Sequence, residues 1–359
     1  MPEPTPRFNA DSPIALVDAR VLFPTRAIRQ RRCACLARLG TGRLLLAFYH
    51  GTGPLRRDDG AVMLSHSDDD GRTWDDPMPI YAHPGWSAIP MGGLVRFSDD
   101  LIRLPVGRIT LDPALGGDEP MTGWFMAATD SRDGGRSWSD LGPEIRLYPH
   151  WTEMYGPSNP HPLADGRFLL TTQGTLGRDQ GWRSGVTFVD PTAGGGSSGY
   201  SPPTILAAAP GRDFSDTDVV RLVDGRLLAV IREHATREAY QTHSADEGRT
   251  WSALRPTGFK GANPKLHRLR SGAIICLYRD QDPARPGISC SLSTDGGAAW
   301  RFIGQLYVAE PGVVPRPGEH CGYPTGVTLG DGDLLVAAHT YIDARGSADL
   351  HLFRFEDRS

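Results

Sequence analysis

Arg32, Asp216, Arg232, Arg285 and Tyr323 stand at regular distances from the turns of a repeated sequence pattern. Arg32 lies ten residues before Gly42, Asp216 nine before Gly225, Arg232 seven after it, and Tyr323 nine before Gly332. Arg285 lies eight before Ser293, and Asp58 and Asp59 fall in the loop after the first apolar run. A guanidinium is a fixed charge with a planar fork that matches a carboxylate. Three of them beside a phenol and short acids suit an acidic ligand, with groups at hand for proton transfer and nucleophilic attack. Arg108, Arg279, His50, His234, Glu233 and His320 lie near the same expected level. They are further candidates for contacts to a hydroxyl-rich ligand, and Glu319 and His320 are close enough in sequence to orient Tyr323.

The elements that must position these groups are read from two internal repeats. The first is a turn followed by an apolar run. It occurs as Gly42–Tyr49, Asp100–Leu104, Asp165–Leu170, Asp224–Ile231, Ser271–Tyr278 and Asp331–Ala337. The six copies are 47 to 65 residues apart, the length of one four-stranded propeller blade with variable loops. Asp-Gly at the turn is a hairpin signal, and each turn is expected to join a blade's innermost strand to its second. Innermost strands line the axis, and the loops that precede them meet at one mouth. The groups above lie just upstream of these turns or on the loops around them.

The second repeat is Ser-x-Asp-x-Gly-x-Thr-Trp. It runs from Ser67 to Trp74, from Ser131 to Trp138, from Ser244 to Trp251 and from Ser293 to Trp300. Short polar side chains there can hold the backbone of a tight turn. The four aspartates sit in separate repeats and cannot converge on a metal. The third copy of the first repeat is followed instead by Gly194–Gly199, a flexible-loop composition, and the sixth also lacks the motif.

This motif resembles the Asp-box of the sialidase superfamily, and the chain as a whole resembles an all-β, six-bladed β-propeller of that family. Residues 1–359 are expected to form one domain. Its ring would be closed by a strand at about residues 14–22 pairing with the C-terminal blade around Leu350–Phe355. The resemblance implies roles for the charged set. Arg32, Arg232 and Arg285 correspond to a carboxylate-binding arginine triad and Tyr323 to the nucleophile. Asp216 stands where the family has a glutamate base, and Asp58 or Asp59 corresponds to the acid/base. Arg29 and Arg31 are alternatives to Arg32, and Asp218 is an alternative to Asp216. The chain departs from the family at Arg32-Cys33-Ala34, where Arg-Ile-Pro is usual, and at Tyr323-Pro324, where Tyr-Ser is usual.

Sialidases with a tyrosine nucleophile are an exception to the two-carboxylate rule of glycoside hydrolysis. A carboxylate nucleophile would meet the substrate's own negative charge, whereas a phenol relieved of its proton by a neighbouring acid avoids that repulsion. The implied activity is exo-glycosidic release of a terminal sialic acid or a related acidic nonulosonic sugar, without metal or organic cofactor. Two other readings fit the same residues: a hydrolase or lyase acting on a uronate-bearing glycan, and a glycan-binding propeller without turnover.

Composition agrees with a globular protein, and the resemblance implies an acidic glycan or glycoside as its partner. Hydrophobic residues are 39% and charged residues 22% of the chain. The net charge of −4 gives no field for nucleic acid or an anionic membrane. Only Lys260 and Lys265 are lysines, so nearly all basic groups are arginines. The N-terminal Met-Pro-Glu-Pro-Thr-Pro has no basic-then-apolar pattern of a secretory signal, and cytoplasmic residence is expected. Cys33, Cys35, Cys276, Cys290 and Cys321 are an odd number without metal-ligand spacing, as expected of free thiols near the axis.

Overall fold

The computed structural model describes residues 6–24, 30–51, 60–84, 86–91, 93–111, 121–148, 160–175, 181–192, 199–309, 321–341 and 347–359. Its strands form an all-β, six-bladed propeller. Blade one is Gln30–Arg38, Leu44–Gly51, Ala61–Ser67 and Met78–Tyr81. In blade two, Ser87–Pro90 and Val95–Arg96 make an interrupted innermost strand beside Ile102–Leu111 and Met121–Ser131. Blade three is His161–Pro162, Phe168–Gly174, Arg183–Val189 and Thr204–Ala207. Blade four is Phe214–Arg221, Leu227–Glu233, Glu238–Ser244 and the first part of the long strand Arg255–Arg268. From Gly261 onward that strand becomes the innermost strand of blade five, followed by Ile274–Asp280, Gly287–Ser293 and Arg301–Val308. Blade six is Cys321–Thr328, Leu334–Tyr341 and Ala348–Asp357, with Ile14–Val21 antiparallel on its outer side. A single parallel pair, Ala348 with Gln30, links blade six to blade one. No helix among the described residues is long and apolar enough to cross a membrane.

Each blade is sealed to the next by apolar side chains. Leu44, Leu46 and Phe48 of blade one, for example, pack with Leu335, Ala337 and Leu350 of blade six. Five of the six hairpins share one hydrogen-bond pattern. In blade four, Leu222 N donates to Arg226 O at 2.8 Å and Gly225 N to Leu222 O at 3.1 Å. Only the glycine of each such turn is left-handed, with φ of 84° to 95° at Gly42, Gly166, Gly225, Gly272 and Gly332.

The Ser-x-Asp-x-Gly-x-Thr-Trp segments close the turn between a blade's third and fourth strands. Gly71 N donates to Ser67 Oγ at 2.9 Å, Thr73 N to Asp69 Oδ1 at 2.8 Å, and Trp74 Nε1 to Gly71 O at 3.1 Å. Hydrogen bonds from Ser137 hold the corresponding Asp133 down to about 2. In the fourth copy the tryptophan is held differently. Trp300 Nε1 donates to Gln241 Oε1 at 2.8 Å, and Gln241 Nε2 donates to Gly297 O. These aspartates are consumed as turn acceptors at the end of each blade that carries the hairpin glycines.

The opposite end of the innermost strands is built differently. In blades one, four, five and six the strand register slips at the same place, between Arg32 and Cys35, Ser215 and Asp218, Ala262 and Lys265, and Gly322 and Thr325. Each slip holds one left-handed residue that is not glycine: Cys33 at φ 53°, Asp216 at 46°, Asn263 at 51° and Tyr323 at 47°. All four lie nine residues before their hairpin glycine. A β-bulge re-aims a side chain, and a left-handed non-glycine costs roughly 1–2 kcal/mol. Asn263 and Tyr323 are each followed by proline, which fits a bulge because no ladder N–H is needed there.

Two residues past the bulge, side chains tie neighbouring blades together. Thr325 Oγ1 accepts from Leu36 N at 3.3 Å, and Asp218 Oδ2 accepts from Leu266 N at 2.8 Å. Asp218 Oδ1 also lies 3.6 Å from Lys265 Nζ, and both side chains are buried. Burial pushes the Lys265 amine below its ordinary pKa, and Asp218 opposes that shift. Removing one partner of such a pair leaves a buried charge alone. Asp218→Leu is therefore expected to lower unfolding stability by about 3–5 kcal/mol in urea titration, with Asp218→Leu/Lys265→Met recovering most of the loss. A single variant as stable as the parent would contradict this account.

Candidate functional site

In blades one, four, five and six the left-handed bulges place Cys33, Asp216, Asn263 and Tyr323 at the same end of the innermost strand. The second strands contribute the residue seven after the hairpin glycine: Tyr49, Gln173, Arg232, Arg279 and His339. These two sets, with Arg32 beside the blade-one bulge, bound the candidate site.

On the side of blades five, six and one, several groups converge. Arg32 is 4% exposed, donates Nη1 to Tyr341 Oη at 3.0 Å, and lies over the Tyr49 ring at 5.5 Å. Arg279 is 5% exposed and donates Nη1 to Cys321 O at 3.2 Å. The His339 ring stacks on Tyr323, with centroids 5.9 Å apart and planes 23° from parallel, and meets Tyr341 edge-on at 5.6 Å. Burial, joined by the charges of Arg32 and Arg279, holds His339 well below its usual pKa, so it stays a neutral imidazole. Gly322 shows how tightly the groups meet. A Cβ there would come 3.0 Å from Asn263 Oδ1, 3.3 Å from His339 Cε1 and 3.5 Å from Arg279 Nη1.

Several buried polar atoms here have no hydrogen-bond partner among the described residues. They are Arg32 Nε and Nη2, Arg279 Nε, His339 Nδ1 and both amide atoms of Asn263. Protein interiors leave few such atoms, and a cluster of them at one place requires an explanation. No described carboxylate pairs with Arg32 or Arg279, although both are permanently charged.

On the blade-four side, Asp216 Oδ2 accepts from Arg232 Nη1 at 2.7 Å, and the Asp216 backbone N–H is held by Gln173 Oε1. His234 sits at the rim, its Nε2 2.6 Å from Ser215 Oγ. His50 pairs across the strand with the Val62–Ala61 segment of blade one and is half-buried. Arg108 lies over the Trp86 ring at 4.8 Å in blade two.

Other candidates are placed elsewhere. Arg285 is 41% exposed, is held by Asp280 at 3.2 Å and Asp282 at 3.0 Å, and covers the Phe302 ring of an outer strand at 5.2 Å. Arg279, by contrast, lies against Cys321 and Gly322, next to Tyr323 in the chain. Arg31 donates to Phe23 O and packs on the Phe23 ring at 5.8 Å, whereas Arg32 reaches Tyr341 and Tyr49. Asp218 is committed to Leu266 and Lys265. Glu233 holds the turn that follows it, accepting from Ala235 N at 3.0 Å and Thr236 N at 2.8 Å. Burial pushes its carboxyl up, but these bonds and Arg212 outweigh that and hold it at about 2. Asp58, Asp59, Glu319, His320 and Arg29 lie outside the described residues.

Sequence reasoning missed Asn263 and His339, yet the offsets that found Asp216, Tyr323 and Arg232 also point to them. Asn263 lies nine before Gly272, and His339 lies seven after Gly332.

Comparison with known proteins bears on the fold and the family. No curated protein sequence matches the chain. A protein of unknown function from Dyadobacter fermentans is similar in structure, with TM-score 0.78 and 19% identity over 96% of this chain and 99% of that one. The intramolecular trans-sialidase from Ruminococcus gnavus, in complex with oseltamivir carboxylate, gives 0.67 and 14% over 91% and 94%. The α-L-arabinanase from Penicillium chrysogenum, complexed with arabinobiose, gives 0.63 and 15% over 97% and 98%. At these identities the likeness is one of fold. Residues 108–336, well over half of the sequence, match the BNR repeat-like domain family, and the chain belongs to that family.

Proposed function

We propose that the protein is a retaining glycoside hydrolase that releases a terminal sialic acid or a related acidic nonulosonic sugar. The observation that carries this reading is the pair of buried guanidiniums, Arg32 and Arg279, beside Tyr323 with no described carboxylate to neutralise them. A buried charge needs a counter-charge, and forks with open N–H groups prefer a carboxylate. Arg232 completes a triad, with Arg279 in the place first expected for Arg285.

In this reaction Tyr323 Oη attacks the anomeric carbon as the glycosidic C–O bond breaks. The leaving oxygen takes a proton from Asp58 or Asp59. Water then attacks the same carbon, giving its proton to that aspartate, and the tyrosyl–sugar bond breaks. Asp216, with Oδ2 on Arg232, has Oδ1 to take the phenol proton. The phenol's ordinary pKa is about 10, and the arginines favour phenolate.

A second reading, elimination or hydrolysis at a uronate, draws support from His339. A neutral imidazole stacked on Tyr323 can accept a proton that an imidazolium could not. The test is fluorescence release from 4-methylumbelliferyl α-sialoside, β-glucuronide and β-galactoside by the full chain across pH 4 to 8. Turnover of the sialoside, with none of the neutral galactoside, is expected. Turnover of the glucuronide alone moves the protein to the second reading, and turnover of the galactoside alone overturns both.

A further inference from the structure

The four left-handed bulges are one structural device used four times. Two of them carry the groups assigned above to nucleophile and base, Tyr323 and Asp216. Between these, on the innermost strand of blade five, the same device carries Asn263. We propose that Asn263 is a specificity-determining residue whose side-chain amide contacts the substrate through a paired donor and acceptor. This rests on the reading of the mouth as a site for a sugar acid.

The argument is one of position, strain and satisfaction. Asparagine tolerates the left-handed region better than most residues, and a purely local role would be to fill that bulge. In such a role the amide usually hydrogen-bonds the nearby backbone. Asn263 does not: it is 5% exposed, and neither Oδ1 nor Nδ2 has a protein partner among the described residues. Its Oδ1 lies beside Gly322, next to Tyr323 and the Arg279 guanidinium. An amide there offers one acceptor and two donors, all aimed at neutral polar groups. The arginines are already suited to the carboxylate. The complementary ligand feature is a hydroxyl pair or an N-acyl group near the carboxylate-bearing carbon. A plain carboxylate offers nothing to Asn263.

The experiment is calorimetric binding to the full chain carrying Tyr323→Phe, with or without Asn263→Gly. Glycine suits the left-handed bulge, so the thermal midpoint should hold while the amide is lost. The probes are N-acetylneuraminate, D-glucuronate and cyclohexanecarboxylate. Expected is a drop of about 10- to 100-fold for at least one hydroxylated sugar acid and less than about twofold for cyclohexanecarboxylate. Equal losses for all three probes, or none for any, overturn the role of Asn263 while leaving the arginine site standing. Failure of the parent to bind any of the three carboxylates overturns the sugar-acid reading itself, and the role of Asn263 with it. Asn263→Asp is a second variant: it keeps the bulge and the acceptor but adds a charge, and it should weaken all three probes.

Discussion

Tyr323→Phe is expected to lower turnover of a cleaved acid glycoside by at least about a thousandfold, because a phenyl ring cannot form the covalent intermediate. The affinity for the free sugar acid should change by less than about threefold, since removing one hydroxyl leaves the arginines untouched. The substitution is mild for the fold. Phenylalanine carries the same left-handed penalty as tyrosine at φ 47° and keeps the stack on His339. Loss of activity will therefore report chemistry and not collapse of the mouth. Steady-state kinetics beside ligand calorimetry on one preparation make the check. If the variant kept a tenth of the parent's kcat, Tyr323 would not be the nucleophile. If it lost affinity and kcat together, the hydroxyl would serve binding. The neutral state of His339 adds a pH condition: imidazolium between Arg32 and Arg279 is disfavoured, so this histidine contributes no titration to the rate near its ordinary pKa.

The propeller was legible because its repeats are local. A hairpin such as Leu222–Arg226 needs a glycine at one left-handed position, and four tryptophan turns need Ser, Asp and Gly at fixed steps. Those requirements act over a few residues and leave a periodic trace. Blade two was harder to see, since its innermost strand is broken between Pro90 and Val95 and its turn lacks the glycine. The blade-to-blade ties were not legible at all. Asp218 looks like a second candidate base on the chain, and only the fold shows it spanning to Leu266 and Lys265.

The site was legible to the extent that it inherits the repeat. Asp216 and Tyr323 share an offset from their glycines because both occupy the same bulge, and Arg232 shares its offset with Arg279 and His339 for the same reason. Arg285 was counted from the tryptophan turn instead, back along the Gly287–Ser293 strand into the loop before it, whose length is free to vary. Asp280 and Asp282 lie five and three residues before it, and those acids capture it. An offset that stays within one strand pair carries spatial meaning, whereas one that ends in a loop does not. Glu233 shows the complementary failure: a charged residue directly beside Arg232 points to the other face of the strand and caps a turn.

Arg279 and Arg285 therefore make the sharpest contrast available in this protein. Both are arginines of blade five, six residues apart, and the sequence alone ranks Arg285 first. Arg279→Ala is expected to lower kcat/KM for an acid glycoside by about 100- to 1000-fold, the usual effect of removing one preorganised donor set from charge in the transition state. Arg285→Ala is expected to change it by less than about threefold, because that side chain is held by Asp280 and Asp282; with Asp280 buried, its loss is expected to fall on stability instead. Arg279→Lys should recover only part of the loss, since an ammonium keeps the charge but not the fork. Stability enters with opposite sign to the usual case. Arg279 is buried without a carboxylate partner among the described residues, so its removal is expected to relieve an unpaired charge and leave the urea midpoint unchanged or higher. A variant that folds at least as well yet loses the acid substrate identifies a residue kept for its ligand. If Arg285→Ala were the damaging change instead, Asp280 and Asp282 would have to release that side chain on binding. The carboxylate would then sit toward the rim, away from His339.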